Sequence, residues 1–144
     1  VVGVAVRVGG LAGSGATQHA ETPEGGWRRG RVWVVGGLGG WGIEASLLLM
    51  AEVGFVAPGD QRFVATVDRV GRERRRGNHL HRYAAPDDFG RPHTAFNICT
   101  FWYIDALARI GRTEEAREIF ESMLATRNHL GLLSEDTDTV SGEL

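Results

Sequence analysis

The sequence predicts an all-α region over residues 43–144, preceded by an irregular glycine-rich segment over residues 1–42. Three observations carry that reading. Apolar residues after Gly42 recur at helical spacing. Turn-forming residues cluster between the periodic runs, at Gly54, Pro58-Gly59, Gly77 and Gly111. Residues 1–42 instead hold 13 of the 21 glycines and three of the four tryptophans, with no sustained helical period.

The elements follow in order. Ile43 to Ala51 reads as a buried helix ended by Gly54 and the Pro58-Gly59 turn. Asp60 is placed to cap a second helix reaching Arg76, which buries Phe63, Val64, Val67 and Val70. A loop from Gly77 to Pro92 follows. The third helix, His93 to Ile110, gathers Phe96, Cys99, Trp102, Tyr103, Ala106, Leu107 and Ile110 on one face. After the Gly111-Arg112 break, Thr113 is expected to cap a fourth helix running to about residue 126. Glu114 and Glu115 stand at its positive end, and its core face is Ala116, Ile119, Phe120, Met123 and Leu124. So short a break implies an antiparallel helix pair.

Composition narrows the function classes. The formal net charge is −2, which gives no bulk electrostatic case for nucleic acid or an acidic membrane. No apolar run approaches the ~18 residues of a membrane-spanning helix, and glycines interrupt the N-terminal apolar stretches, so no signal peptide is read and a cytoplasmic location is expected. One cysteine, Cys99, excludes an internal disulfide. All 16 basic residues are arginine, which with abundant Gly, Ala and Val indicates a GC-rich coding sequence.

The chemical candidates lie toward the C-terminal end. Glu135 follows an apolar Leu130-Gly-Leu-Leu133 segment, with Asp136 and Asp138 close behind. A carboxylate held at a loop mouth by buried leucines can serve as a general base; neighbouring acids would raise its pKa and an arginine would lower it. The alternative is an acidic solvated turn with Ser134 as a helix cap. Arg82-Tyr83 offers a planar donor fork for sugar hydroxyls beside a flat apolar ring; the alternative is a surface arginine beside a half-buried tyrosine. Gly37 to Gly42 matches G-x-G-x-x-G, but a segment this rich in glycine produces the pattern by chance, and no strand–helix alternation follows. Arg69, Arg72, Arg74, Arg75 and Arg76 form a basic run, read as a solvated face. His79, His81, His93 and His129 have no metal-ligand spacing beyond His79-x-His81, and Cys99 reads as core. Ala106 to Leu124 resembles a single tetratricopeptide-type hairpin, so a non-catalytic helical interaction module is the rival to an enzyme.

Taken together, Glu44-Ala-Ser-Leu-Leu-Leu-Met50, Leu80-His-Arg-Tyr83, Asp87-Asp-Phe-Gly90, Ala95-Phe-Asn-Ile-Cys-Thr-Phe-Trp102, Asp105-Ala-Leu-Ala108 with Gly111-Arg112, and Arg127-Asn-His-Leu-Gly-Leu-Leu-Ser-Glu135 resemble glycoside hydrolase family 15 in order and spacing. That is the family of glucoamylases, glucodextranases and bacterial trehalases. The resemblance implies part of an (α/α)6 barrel, an incomplete set of antiparallel helix pairs. It implies inverting hydrolysis of α-glucosidic bonds in trehalose, maltooligosaccharides or related glucans, with no cofactor. One glutamic acid would protonate the leaving oxygen while a second carboxylate, roughly 6.5–9.5 Å away, activates water. Ser134-Glu135 matches the general-base motif, so Glu135 is the expected catalytic residue. Arg82 and Tyr83 match a substrate-binding loop.

The departures also shape expectation. No segment in residues 1–42 matches the family's Trp-Glu general-acid region; Glu21 and Glu24 lie in another context. His93 stands where many bacterial relatives carry an acidic residue. Residues 1–42 are expected to come from a shifted reading frame or a mispredicted start, and the chain is expected to be a fragment, inactive alone. Helix faces left bare by the missing barrel would favour self-association.

Overall fold

The computed structural model describes residues 43–83, 90 and 92–141. Among the described residues three α-helices dominate: α1 (Gln61–Arg74), α2 (Asn97–Arg109) and α3 (Thr113–Ala125). They are joined by two short antiparallel ladders, β1 (Arg75–Arg76) with β2 (His79–Leu80) and β3 (Thr94–Phe96) with β4 (Asp136–Asp138). The arrangement is mainly helical, as the spacing predicts.

The Ile43–Ala51 segment is a 3-10 helix over Ala45–Met50 rather than an α-helix. Ala45, Leu47, Leu48 and Met50 are buried, and the Ala45 N–H is drawn out of the helix to the Arg82 carbonyl at 3.1 Å. Arg74, itself buried, closes the segment by donating from Nε to the Ile43 carbonyl at 2.9 Å.

Asp60 caps α1, accepting from the Arg62 N–H at 2.8 Å. The helix ends at Arg74, two residues before the expected Arg76, because Arg75 is extended (φ −76°, ψ 137°) and pairs with Leu80. Gly77, with φ 57°, and Asn78 form the two-residue turn. The expected Gly77–Pro92 loop therefore begins with the turn and second strand of a hairpin. Likewise α2 begins at Asn97, not His93, since Thr94–Phe96 pair with Asp138–Asp136.

Gly111 (φ 86°) ends α2 by the left-handed route glycine permits, with Arg112 N–H reaching the Leu107 carbonyl at 2.9 Å. The tight turn lays α3 back along α2, and the two helices pack against each other. Thr113 is the first residue of α3 rather than its cap; Arg112 takes the cap position with no side-chain cap bond. The shared core runs through Leu48, Phe63, Val67, Leu80, Leu107 and Ile119. Phe120 does not join it: 40% exposed, it meets Phe101 edge to face at 6.2 Å.

Helix α1 crosses α2 at Gly71. A methyl group there would overlap the Tyr103 hydroxyl and lie 3.1 Å from Cζ, and Tyr103 is buried. Gly71→Ala is therefore expected to destabilise the fold by about 1–3 kcal/mol in chemical denaturation, and Tyr103→Phe is expected to recover part of that loss. Additive effects of the two changes would count against a direct clash. At Asp60 the Arg62 side-chain bond leads the causes that lower the carboxyl from 3.8 to about 2. The folded value lies below the unfolded one, so this stabilisation is present above pH ~4 and is lost as pH falls through ~2. Asp60→Ala is expected to lower stability by about 1 kcal/mol at neutral pH. The gap from the parent narrows on acid titration, which thermal melts across that range would follow.

Candidate active site

Two chain segments bring the expected site residues to one region. The first is Ser134–Asp138. Leu130 and Leu132 are 70% and 60% exposed, so buried leucines do not hold Glu135. Two asparagines do the holding. Asn128 Oδ1 accepts from the Leu130 and Leu132 N–H groups at 2.9 and 3.0 Å, its own N–H reaches the Leu132 carbonyl, and Gly131 (φ 80°) turns the chain. Beyond Glu135 the loop is fastened by Asn97, the first residue of α2. Its backbone N–H donates to the Glu135 carbonyl at 2.9 Å. Its side-chain Nδ2 donates to the Ser134 carbonyl at 3.1 Å and to Thr137 Oγ1 at 2.9 Å, and Thr137 Oγ1 donates to Asn97 Oδ1 at 3.1 Å.

The acidic neighbours do not form a cluster around Glu135. Asp138 accepts from the N–H groups of Val140 at 2.7 Å and Ser141 at 3.0 Å. Those bonds, Ser141's first, hold its carboxyl below the ordinary range. It shapes the turn that follows. Asp136 is exposed beside β3, its carbonyl accepting from the Ser134 hydroxyl. Ser134 is therefore a turn residue here, not a helix cap.

The second segment is Leu80–Tyr83. Leu80 is buried and its N–H donates to Thr100 Oγ1 at 2.9 Å; His81 N–H donates to the Arg74 carbonyl at 3.0 Å; the Arg82 carbonyl accepts from Ala45. Backbone bonds on three consecutive residues fix Arg82 while leaving its side chain exposed. The guanidinium stands 6.0 Å from the Tyr83 ring centroid and 5.9 Å from that of Phe96.

Phe96 joins the two segments. It pairs with Asp136 in the β3–β4 ladder and faces Arg82. It also lines an open recess of about 300 Å³ with Asn97, Ile98, Phe101, Leu133, Ser134 and Glu135. Glu135 is thus an exposed carboxylate on the rim of a mainly apolar hollow that Phe96 also lines, and the Arg82 guanidinium stands over the Phe96 ring. The sequence marks Asn97 only as an amide in an otherwise apolar Ala95-Phe-Asn-Ile-Cys run.

The remaining candidates have structural uses. Cys99 is buried, and burial pushes its thiol up to about 11, with Arg82 opposing and Asp136 adding to the shift. The basic run is largely consumed: Arg69 pairs with Glu73 at 2.6 Å, Arg75 with Glu115 at 2.8 Å, and Arg74 is buried on Ile43. His79 Nδ1 and His81 Nε2 are buried without hydrogen-bond partners, and burial leads the causes that lower the His81 pKa. No group of three or more metal-ligating side chains occurs among the described residues, and none of their helices is long and apolar enough to cross a membrane. Gly37–Gly42 and Asp87–Phe89 lie outside the described residues.

The sequence model of Glycosyl hydrolases family 15 matches residues 23–144. The chain belongs to this family. The match reaches back beyond Ile43, into the glycine-rich segment that the resemblance left out. Among family relatives, a trehalase of Thermoplasma volcanium is 38% identical over 102 residues, covering 70% of this chain and 16% of the relative. A trehalase of Thermoplasma acidophilum is 36% identical over 102 residues, 70% of this chain and 18% of the relative. One of Mycobacterium tuberculosis is 31% identical over 103 residues, 69% of this chain and 15% of the relative. The chain thus spans less than a fifth of the length of the curated relatives it matches. A solved glycosidase superposes with a TM-score of 0.65 at 24% identity, over 73% of this chain and 28% of its own. Glycoside hydrolase family 15 folds as an (α/α)6 barrel, and the helical arrangement here agrees with that.

Proposed function

We propose that this chain is the base-bearing part of an (α/α)6 barrel that hydrolyses α-glucosidic bonds with inversion, and that trehalose is the first substrate to test. The observation that carries the reading is that Phe96 lies near both segments: the Arg82 guanidinium stands 5.9 Å from its ring centroid, and Glu135 lines the same recess as Phe96. Curated relatives bearing the name trehalase support the choice of sugar.

In this reading Glu135 accepts a proton from a water molecule as that water attacks the anomeric carbon. Its exposure leaves the carboxylate reachable by solvent, as a base requires. Arg82 donates to sugar hydroxyls, its fork steadied by the Phe96 and Tyr83 rings. A second carboxylate, outside the match to the expected motifs, protonates the leaving oxygen. This stretch alone supplies the base side of the reaction and is inactive by itself. No cofactor takes part.

Ile98 is 47% exposed, and with Phe101 and Leu133 it lines the recess, while Phe120 stands against Phe101. In the barrel this apolar surface packs against the rest of the polypeptide. The isolated chain is therefore expected to self-associate. Light scattering coupled to gel filtration checks this; a stable monomer at all concentrations contradicts it.

The catalytic assignment is tested in the full-length polypeptide that carries this chain, on trehalose and maltose. Glu135→Gln is expected to lower kcat by roughly 100- to 10,000-fold with KM changed far less. Product anomers read the stereochemistry. Inversion of trehalose releases one β-glucose and one α-glucose, whereas retention releases α-glucose alone. Parental activity in Glu135→Gln would remove the residue from the mechanism, and an α-only product would remove inversion.

A further inference from the structure

Resting on that reading of Glu135, we infer that Asn97 and Thr137 form a positioning pair that sets where the base stands. Neither touches substrate in this scheme. Both act through the main chain on either side of Glu135.

Three features point to this role. First, the pair is buried, with Asn97 3% and Thr137 2% exposed, whereas Glu135 and Asp136 beside them are open to solvent. Second, the bonds bracket the base: Nδ2 of Asn97 holds the Ser134 carbonyl at 3.1 Å, its backbone N–H holds the Glu135 carbonyl at 2.9 Å, and its amide exchanges two bonds with the Thr137 hydroxyl. Third, the arrangement is unambiguous. The Ser134 carbonyl can only accept, so the amide nitrogen must face it, and the oxygen is left to accept from Thr137. Both Nδ2 hydrogens and the Oδ1 acceptor are then used.

The consequence is a base mounted on a helix end. Asn97 is the first residue of α2, whose opening N–H groups have no partner inside the helix. One of them is satisfied by the Glu135 carbonyl itself. The Glu135 backbone is therefore referenced to α2 and not to the exposed leucines before it. Thr137 is buried from β4 while Asp136 stays exposed, and Glu135, just ahead of the strand, lines the recess. Displacing a reacting group by about 1 Å can cost roughly 100-fold in rate, so loss of either partner reaches the chemistry.

The test uses the full-length polypeptide and the sugar that the parent hydrolyses. Thr137→Val keeps the side-chain volume and removes the hydroxyl; Thr137→Ser keeps the hydroxyl. Asn97→Ala and Thr137→Val are each expected to lower kcat by roughly 100-fold, with KM moved far less. The acidic limb of the kcat profile, which reports the base, is expected to shift while the alkaline limb stays. Thr137→Ser is expected to recover most of the loss. If Asn97→Ala fails to fold, the two Thr137 variants decide alone. A folded Thr137→Val with parental kcat would overturn the inference, as would a loss of kcat with an unmoved acidic limb and no recovery in Thr137→Ser. Failure here is separable from failure of the base assignment. An inactive Glu135→Gln beside a fully active Thr137→Val rejects only the positioning pair, whereas an active Glu135→Gln rejects both.

Discussion

The architecture around the candidate site depends on the junction between β3 and α2, where Phe96 ends a strand and Asn97 begins a helix. Within two residues the backbone stops pairing with β4 and starts pairing with itself. Polar groups stranded at such a junction must be satisfied, since a buried unpaired amide or carbonyl costs about 1–3 kcal/mol. The Asn97 backbone and side chain provide that satisfaction from one residue. In doing so they tie a chain segment almost forty positions later to the start of the helix. The adjacent Phe96 ring then presents its face to Arg82.

The helical core was legible because it rests on periodicity. Phe63, Val67 and Val70, then Cys99, Tyr103, Ala106 and Leu107, fall where a 3.6-residue repeat puts them, and all are buried. The helix ends were less legible. Arg75 and Thr94–Phe96 left their expected helices because each found a partner strand, and pairing between distant segments has no local signature at Thr94. The hairpin at Arg75–Leu80 did have one: Gly77-Asn78 is a two-residue turn pair between possible strands, outweighed by the helical run before it.

The candidate site is marked in the sequence by motif resemblance at Glu135 and Arg82, and the fold brings their segments to Phe96. The support of Glu135 is not legible there. Apolar residues before a carboxylate suggest a buried collar, yet Leu130 and Leu132 face solvent, and hydrogen bonds to the Asn128 side chain and from Asn97 fix the loop. A side chain's partner across the fold cannot be read from its neighbours in sequence, so Asn97 stayed silent until Thr137 stood beside it. The acidic cluster failed for a related reason. Asp138 is spent on its own turn, which spacing alone could not separate from tuning a base.

Arginine carries every basic role in this chain, and its two uses here show why lysine would not substitute freely. At Arg74 and Arg75 the fork is a structural connector, reaching a backbone carbonyl in one case and a carboxylate, a carbonyl and an amide in the other. At Arg82 the backbone does the anchoring, through Ala45, while the exposed guanidinium rests near two aromatic faces. Arg69, Arg74 and Arg75 are held by bonds within the fold, whereas Arg82 presents a planar donor array beside Phe96, the β3 residue that pairs with Asp136. Backbone contacts set position on both segments, and the two side chains with chemistry to offer remain exposed.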